Sequence, residues 1–177
     1  MKELALTLED TQWEKTEITH DRHVARAIVV DEGGFFYFVR VVRDDIFGNG
    51  AFIETAGGGV EAGETPEEAI HRELKEELGA NVEVLCKIGT VSDYYNQIHR
   101  HNVNHYFLCR VTSFGKTEMT PKELEEFELS TLKLTYEEAY GILQFVADTL
   151  EYERSFIHID IVQPSCILPG INQQKEE

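Results

Sequence analysis

Apolar and β-branched residues cluster along this chain in short runs that predict several β-strands. HVARAIVV and FFYFVRVVRDD predict two strands, and the Gly33-Gly34 pair between them predicts a two-residue hairpin turn. AFIETAGGG predicts a short strand that leads into a glycine loop. NVEVLCKIGTVSDYY and RHNVNHYFLCRVTSF predict a strand pair, and LSTLKLT predicts one more strand.

Helical periodicity appears twice in the sequence. One helix is predicted over residues 66–78, with Thr65 as its N-cap, Pro66 at its first position and Gly79 just past its end. The second is predicted within YEEAYGILQFVADTLEYE, whose Ala139, Ile142, Leu143 and Val146 fall on one side. The terminal FIHIDIVQPSCILPGIN stays open between strand and helix. Strands in the majority, with one embedded and one late helix, favour an α+β sandwich.

Acidic residues interrupt the apolar face of the first predicted helix. At about 100° per residue, Ile70, Leu74 and Leu78 form a stripe that must face the core. Glu77 falls within that stripe, and Glu73 lies beside it. At least two carboxylates are therefore expected to point toward the protein body rather than into solvent.

The spacing of these carboxylates makes their burial unfavourable without a partner. Glu73 is three residues from Glu76 and four from Glu77, and like charges at those spacings repel each other on a helix. Either one carboxyl retains a proton or a divalent cation binds several of them, and the exposed carbonyls of the glycine loop favour the cation. An acidic amphipathic helix with solvated glutamates is the alternative interpretation.

Composition limits the classes of partner. The 177 residues are expected to form one domain over 1–177, and the net charge of −17 argues against nucleic acid and anionic membranes as partners. No segment approaches the about 20 apolar residues that span a bilayer. The acidic start of the chain does not resemble a secretory signal, and three scattered cysteines predict free thiols in a reducing cytoplasm.

The glycine loop and first helix together carry a recognisable pattern. Gly58, five residues, Glu64, seven residues and then RELKEELGA match G-x5-E-x7-R-E-U-x-E-E-x-G-U, where U is bulky and apolar. Ala80 at the last position is smaller than usual. This segment resembles the Nudix box, the signature of Nudix hydrolases. The resemblance implies an α/β/α sandwich with a mixed β-sheet, and extends over roughly residues 22–150, leaving an N-terminal arm (1–20) and a C-terminal extension (152–177) uncovered.

The resemblance also implies roles for individual residues. Glu73, Glu76 and Glu77 match the metal-binding carboxylates, and Gly57 matches the residue whose carbonyl completes the metal shell. Glu64 matches the loop glutamate that contacts the metal through water or holds the loop. Arg72 matches the arginine that ties the loop to the helix, although an ordinary surface ion pair is its alternative role.

The implied reaction is hydrolysis of a diphosphate bond in a nucleoside diphosphate linked to another group, with Mg²⁺ or Mn²⁺ as cofactor. The metal would neutralise diphosphate oxygens and lower the pKa of a water, and a carboxylate would take the proton. The resemblance leaves the base open between Glu73 and a glutamate of the later loop TPKELEEFELS, where Glu125 and Glu126 are placed best.

Substrate class remains open at the level of sequence. FVRVVRDD and FIETAGG resemble the ADP-ribose pyrophosphatase branch, which assigns Arg43 and Glu54 to substrate or metal, yet that branch's proline is replaced by Ala56. A tyrosine in VSDYYNQ resembles the dinucleoside polyphosphate branch instead. Tyr94 and Tyr95 are the candidate base-stacking residues, with Tyr95 assigned to substrate binding, and half-buried packing in the sheet is their alternative role. Nucleotide sugars and nucleoside triphosphates are the other substrate classes considered.

Three histidines and one tryptophan are further candidates for binding or contact roles. His99, His101 and His105 are predicted on one strand face, as a second metal site, a phosphate-contacting patch or ordinary strand histidines. Trp13 is assigned to the N-terminal arm, against a partner subunit, and the chain is expected to be a monomer or homodimer.

Two other functions are compatible with the same fold. A non-catalytic ligand-sensing or regulatory domain would usually lose box glutamates, which this chain keeps. An isoprenoid diphosphate isomerase would need a cysteine ahead of the box, whereas the first cysteine here is Cys86.

Overall fold

The computed structural model describes residues 3–46, 48–125 and 127–142. The strands are β1 Leu4–Leu8, β2 His20–Val30, β3 Phe36–Asp45, β4 Gly48–Glu54, β5 Ala80–Tyr95, β6 Arg100–Phe114 and β7 Ser130–Leu134. The helices are α1 Pro66–Leu78 and α2 Pro121–Glu125, with a 3₁₀ turn at Asn96–Ile98.

The described strands form one seven-stranded sheet in the order β1-β5-β6-β2-β3-β4, with β7 paired to β3. Parallel pairing of β1 with β5 and of β2 with β6, beside antiparallel pairs elsewhere, makes the sheet mixed, as predicted.

Each face of the sheet carries its own apolar core. Ala25, Ala27 and Val29 of β2 pack with Ile70 and Leu74 of α1 on one face. The alternate residues of β2 point to the other face, because side chains alternate along a strand. There they pack against Ala139 from a helical segment at 136–142. The α+β sandwich expected from the sequence is therefore present, with helices on both faces.

The bounds of α1 agree with the sequence prediction because its end signals are strong. Thr65 accepts a hydrogen bond from the Glu68 N–H, and the Glu68 side chain accepts one from the Thr65 N–H, which completes a capping box. Pro66 occupies the first turn, and Gly79 ends the helix in the left-handed conformation at φ 63°. The late helix begins similarly, since Thr135 caps the Glu138 N–H.

The predicted two-residue hairpin between β2 and β3 is wrong. Residues 31–35 form a longer connection, in which Asp31 accepts hydrogen bonds from the N–H groups of Gly34 and Phe35. Only two residue pairs join β2 to β3, whereas β6 pairs with β2 from His20 to Val30. A glycine pair indicates where the chain turns, but the tertiary structure determines which strands pair with each other.

The N-terminal arm contains a strand that the sequence analysis missed. Leu4, Leu6 and Leu8 are partly buried and alternate with exposed residues, a period of two that could have identified β1. Gly89 of β5 permits this pairing, because a Cβ there would lie 2.1 Å from the Leu4 carbonyl oxygen. Trp13 is exposed at its side chain, and its carbonyl accepts a hydrogen bond from Asn96.

No helix in the described ranges is long and apolar enough to cross a membrane. The late-helix positions Leu143 and Val146, the open segment near the C-terminus and the extension 152–177 lie outside the described residues.

Candidate functional site

The glycine loop continues β4 and pairs with β2. The Ala25 and Ala27 N–H groups donate to the carbonyls of Gly58 and Ala56 at 2.9 and 3.0 Å. Gly57 lies between these contacts at φ 132°, and a Cβ there would lie 2.1 Å from the Ala25 carbonyl oxygen. Only glycine permits this close approach of two backbones, so the sheet fixes the position of the loop.

Two carboxylates of α1 lie buried against this loop, as the stripe geometry predicted. Glu73 and Glu77 are only 9% and 7% exposed. The Gly57 N–H donates to Glu77 Oε2 at 2.8 Å in a buried hydrogen bond. A Cβ on Gly58 would lie 2.4 Å from Glu73 Oε1, so that carboxylate occupies the space that any side chain there would need. The solvated-glutamate interpretation is wrong for these two residues.

Gly58→Ala should therefore displace the Glu73 carboxylate while keeping its charge. We expect kcat to fall by roughly 10²-fold or more, because misplacement of about 1 Å near a reacting centre has effects of that size. Steady-state kinetics beside circular dichroism would check this. Gly63→Ala provides a control, since its Cβ would meet nothing within 4 Å, although its φ of 87° predicts a small loss of stability. Unchanged kcat in Gly58→Ala would show that Glu73 need not hold this position.

Arg72 connects the loop to the acidic face of the helix. It donates from Nε and Nη2 to both carboxylate oxygens of Glu64, at 3.0 Å each, and from Nη2 to the Gly59 carbonyl at 2.9 Å. Its Nη1 bridges Glu73 and Glu76, at 2.8 and 3.2 Å. A planar guanidinium matches this fork of acceptors in a way that a lysine does not.

This arrangement keeps the Glu64 carboxylate and the guanidinium ionised. The hydrogen bonds from Arg72, followed by the one from the Glu61 backbone, lower the pKa of Glu64. Hydrogen bonding to Glu64 raises the pKa of Arg72, despite an opposing effect of burial. The role of an isolated surface ion pair does not describe Arg72, because this one side chain hydrogen-bonds three carboxylates.

The residues present fit a divalent cation, although no cation-ready arrangement is already formed. Among the described residues, no three His, Cys, Asp or Glu side chains converge as metal ligands. The three carboxylates of α1 are held by other partners: Arg72 donates to Glu73 and Glu76, and the Gly57 N–H donates to Glu77. Oxygen donors are nevertheless the ligands that Mg²⁺ and Mn²⁺ prefer. Gly58 has no side chain, and the Glu73 carboxylate occupies the space that this leaves beside the loop.

Arg43 and Glu54, assigned to substrate or metal from the sequence, form an ion pair at 2.8 Å. Their neighbour Arg26 was not predicted from the sequence; its Nη1 donates to the carbonyls of Thr55 and Gly57 at 2.9 and 3.1 Å. Burial is the largest single effect on Arg26 and lowers its pKa, but Glu54 and other nearby acidic groups together outweigh it, so the net shift is upward. A charged residue among the apolar positions of HVARAIVV was the available signal.

The remaining predicted residues are dispersed. Tyr95 precedes the 3₁₀ turn, with the Arg100 guanidinium 5.2 Å from its ring centre. Glu125 is exposed at the end of α2, where a loop was predicted, and Glu126 lies outside the described residues.

The prediction of three histidines on one strand face is wrong for His99. That residue precedes β6 and has φ 54°, so it ends the 3₁₀ turn. His101 and His105 do share a strand face. His101 bonds Asp21 at 2.8 Å, whereas His105 stacks on His23 with ring centres 5.4 Å apart.

Comparison with known proteins gives one consistent family. The NUDIX domain model matches residues 20–150. A relative from Proteus vulgaris named 8-oxo-dGTP diphosphatase is 34% identical over 102 residues, which cover 57% of this chain and 84% of that protein. A second protein of the same name, from Haemophilus influenzae, is 43% identical over 56 residues, covering 32% of this chain and 40% of its own.

Solved structures share the fold at low identity. A NUDIX hydrolase from Nitrosomonas europaea is similar with a TM-score of 0.61 and 14% identity, over 80% of this chain and 88% of that one. A MutT NUDIX hydrolase from Burkholderia pseudomallei is similar with a TM-score of 0.59 and 18% identity, over 82% of this chain and 100% of that one.

Proposed function

Because this chain belongs to the Nudix hydrolase family, we propose that it hydrolyses a diphosphate bond of a nucleoside triphosphate with the help of Mg²⁺ or Mn²⁺. The observation that carries this proposal is the burial of Glu73 and Glu77 against the glycine loop. Two carboxylates one helical turn apart repel each other, and desolvation strengthens that repulsion. A cation together with an anionic phosphate chain offsets it.

Glu73, Glu76, Glu77 and the Gly57 carbonyl are the groups that would hold the metal. When bound, a divalent cation neutralises the charge of the phosphate oxygens and makes a water acidic enough to attack at neutral pH. An acidic protein would otherwise repel such a substrate, and the chain has a net charge of −17.

The other residues of the site hold this arrangement in place. Arg72 and Glu64 fix the loop against α1, and Arg26 donates a hydrogen bond to the Gly57 carbonyl. For the proton of the attacking water, Glu73 is the acceptor that the geometry favours. Glu73 is buried beside the glycine loop, whereas Glu125 is exposed at the end of α2. Glu126 remains a second candidate outside the described residues.

The names of the relatives favour a triphosphate substrate with an oxidised purine. Both sequence relatives are called 8-oxo-dGTP diphosphatase. In that reaction water attacks the substrate, and the products are 8-oxo-dGMP and pyrophosphate. The ADP-ribose alternative rests on Arg43 and Glu54, which pair with each other.

A substrate panel tests this proposal. Purified protein with Mg²⁺ or Mn²⁺ should be incubated with 8-oxo-dGTP, dGTP, ADP-ribose, a dinucleoside polyphosphate and a nucleotide sugar, with products separated by ion-exchange chromatography. We expect 8-oxo-dGTP to have the highest kcat/KM and to yield pyrophosphate. A preference for ADP-ribose would contradict the substrate class. Metal uptake without turnover of any compound would favour the non-catalytic sensing domain.

A further inference from the structure

Two histidines lie side by side at the end of the core that packs against α1. His23 of β2 comes two positions before Ala25, and His105 of β6 comes two positions before Phe107; both apolar residues belong to that core. Because side chains alternate along a strand, the two imidazoles share the sheet face of α1. His23 is exposed and His105 is partly buried, so solvent reaches the pair.

The two rings meet through their nitrogen atoms. His23 Nδ1 and His105 Nε2 are 3.1 Å apart, and the ring planes are inclined by only 11°. In the hydrogen bond between them one nitrogen donates and the other accepts, so at least one facing nitrogen has a free lone pair. If the donating ring carries its proton on its other nitrogen, as the second neutral tautomer does, both facing nitrogens have lone pairs.

The separation of these nitrogens matches that of two ligands on one metal ion. Zinc–nitrogen bonds of about 2.0–2.1 Å, at ligand angles of about 90–110°, hold two nitrogens about 2.8–3.4 Å apart. The 3.1 Å between His23 Nδ1 and His105 Nε2 lies inside that range. Rotation of each ring about its last side-chain torsion, which is broad for histidine, directs both lone pairs to one point. The backbone stays in place, because β2 and β6 are paired throughout this region.

The surroundings of His105 favour the form that binds a cation. Burial, then the positive charges of His23 and Lys87, lower the pKa of His105. Its imidazole is therefore neutral at neutral pH, and a neutral imidazole is a metal ligand. Lys87 pairs with Glu3 at 3.2 Å, which reduces its repulsion of an ion. The charged residues that line a cleft together with His23 are Asp21, Arg22, Glu61 and Glu64.

The histidine pair differs chemically from the carboxylates of α1. Among the described residues, no third His, Cys, Asp or Glu joins the pair to complete a metal-ligand group. The next histidine on this face, His101, bonds Asp21 instead. Water would therefore occupy the remaining positions on an ion. Imidazole suits Zn²⁺, Ni²⁺ and Cu²⁺, whereas carboxylates suit Mg²⁺ and Mn²⁺.

We propose that His23 and His105 form a two-histidine site for a transition-metal ion of the Zn²⁺, Ni²⁺ and Cu²⁺ class, separate from the carboxylate site and independent of the proposed function. The ion replaces the hydrogen bond between the rings, and the histidine that donated this bond carries its proton on its other nitrogen. The Val60 N–H donates to the His23 carbonyl at 3.0 Å, so the ion joins β2 to β6 beside the glycine loop.

Titration calorimetry with Ni²⁺ in excess Mg²⁺, which competes for the carboxylates, tests the site. Wild-type protein should bind Ni²⁺, and His23→Gln and His105→Gln should each weaken this binding by roughly tenfold or more. Binding through two linked ligands exceeds binding through one by at least that factor. His71→Gln is the matched control, because His71 is an exposed histidine on α1, and its Ni²⁺ affinity should stay within about twofold of wild type.

The variants also separate this site from other sources of Ni²⁺ binding. Equal affinity in wild type, His23→Gln and His105→Gln, or no Ni²⁺ uptake by wild type, would overturn the site. An equal loss in His71→Gln would also overturn it, because exposed histidines in general would then bind the ion. Turnover of 8-oxo-dGTP with Mg²⁺ is measured separately, so the hydrolysis and the histidine site can each fail without the other.

The pH dependence of wild-type binding decides the matter if a glutamine variant does not fold. Histidines become protonated below about pH 6.5, whereas glutamates stay ionised down to about pH 4.3. Ni²⁺ affinity should therefore fall by roughly tenfold or more from about pH 7.5 to about pH 5.5, because protons compete for both imidazoles. Affinity that is unchanged over this range would assign the ion to carboxylates and overturn the proposal.

Discussion

Replacing Glu77 with glutamine should reduce kcat by about 10³-fold while leaving the fold intact, the size of effect seen when a preorganised electrostatic group is removed. Glutamine keeps the shape and an oxygen that can accept the Gly57 N–H, but it loses the charge that would hold a divalent cation. Glu73→Gln should have an effect of similar size. Steady-state kinetics at saturating Mg²⁺, with metal affinity from calorimetry, would measure both variants.

Glu67→Gln provides the control for charge alone, because Glu67 is on the same helix but exposed. Its kcat should stay within about twofold of wild type, since exposed charges contribute little to local energetics. Normal turnover and metal uptake by Glu77→Gln would reject the assignment of this carboxylate. Loss of both with an unchanged thermal midpoint would support it.

Replacing Arg72 with alanine should destabilise the protein by about 3 kcal/mol, because partly buried carboxylates lose their shared counter-ion. Glu64, Glu73 and Glu76 would then repel each other, and the Gly59 carbonyl would lose its donor. For a chain of this size that corresponds to a fall in Tm of about 6–12 °C. Thermal unfolding in EDTA would measure it without added cation.

Lys75→Ala is the matched control, because Lys75 on the same helix forms an exposed ion pair with Glu118. We expect it to change stability by less than about 1 kcal/mol. If Arg72→Ala and Lys75→Ala have equal Tm values, Arg72 is an ordinary surface residue after all.

Acid unfolding gives an independent readout of the Arg72 pairing. The pKa of Glu64 is lowered in the folded state, so its stabilising contribution is present above the unfolded pKa and disappears as pH falls through the lowered value. Wild type should therefore lose stability on acidification below about pH 4.3, the ordinary glutamate pKa, more steeply than Arg72→Ala does.

The sequence by itself determined α1, the glycine loop before it and the direction of its carboxylates. These are local properties: a capping box and a C-terminal glycine fix the helix ends, and helical geometry then fixes which side chains share the apolar stripe. Strand positions could also be predicted where β-branched and aromatic residues are frequent, as in β5 and β6. The positions of Glu73 and Glu77 relative to the apolar stripe were sufficient to predict that both face the protein body, although composition alone favoured solvated glutamates.

Only the tertiary structure decided which strands pair and which distant residues meet. β2 pairs in parallel with β6, whose partner residues lie 80 positions further along the chain, and this register places Arg22 beside Asn102. Arg26 reaches the Gly57 carbonyl only because β2 and the glycine loop share backbone hydrogen bonds. Pairing depends on backbone donors and acceptors that every residue carries, so local side-chain patterns contain little information about the partner. For that reason the sequence of one helix was sufficient to predict the carboxylates of the site, whereas the position of Arg26 depends on the assembled sheet.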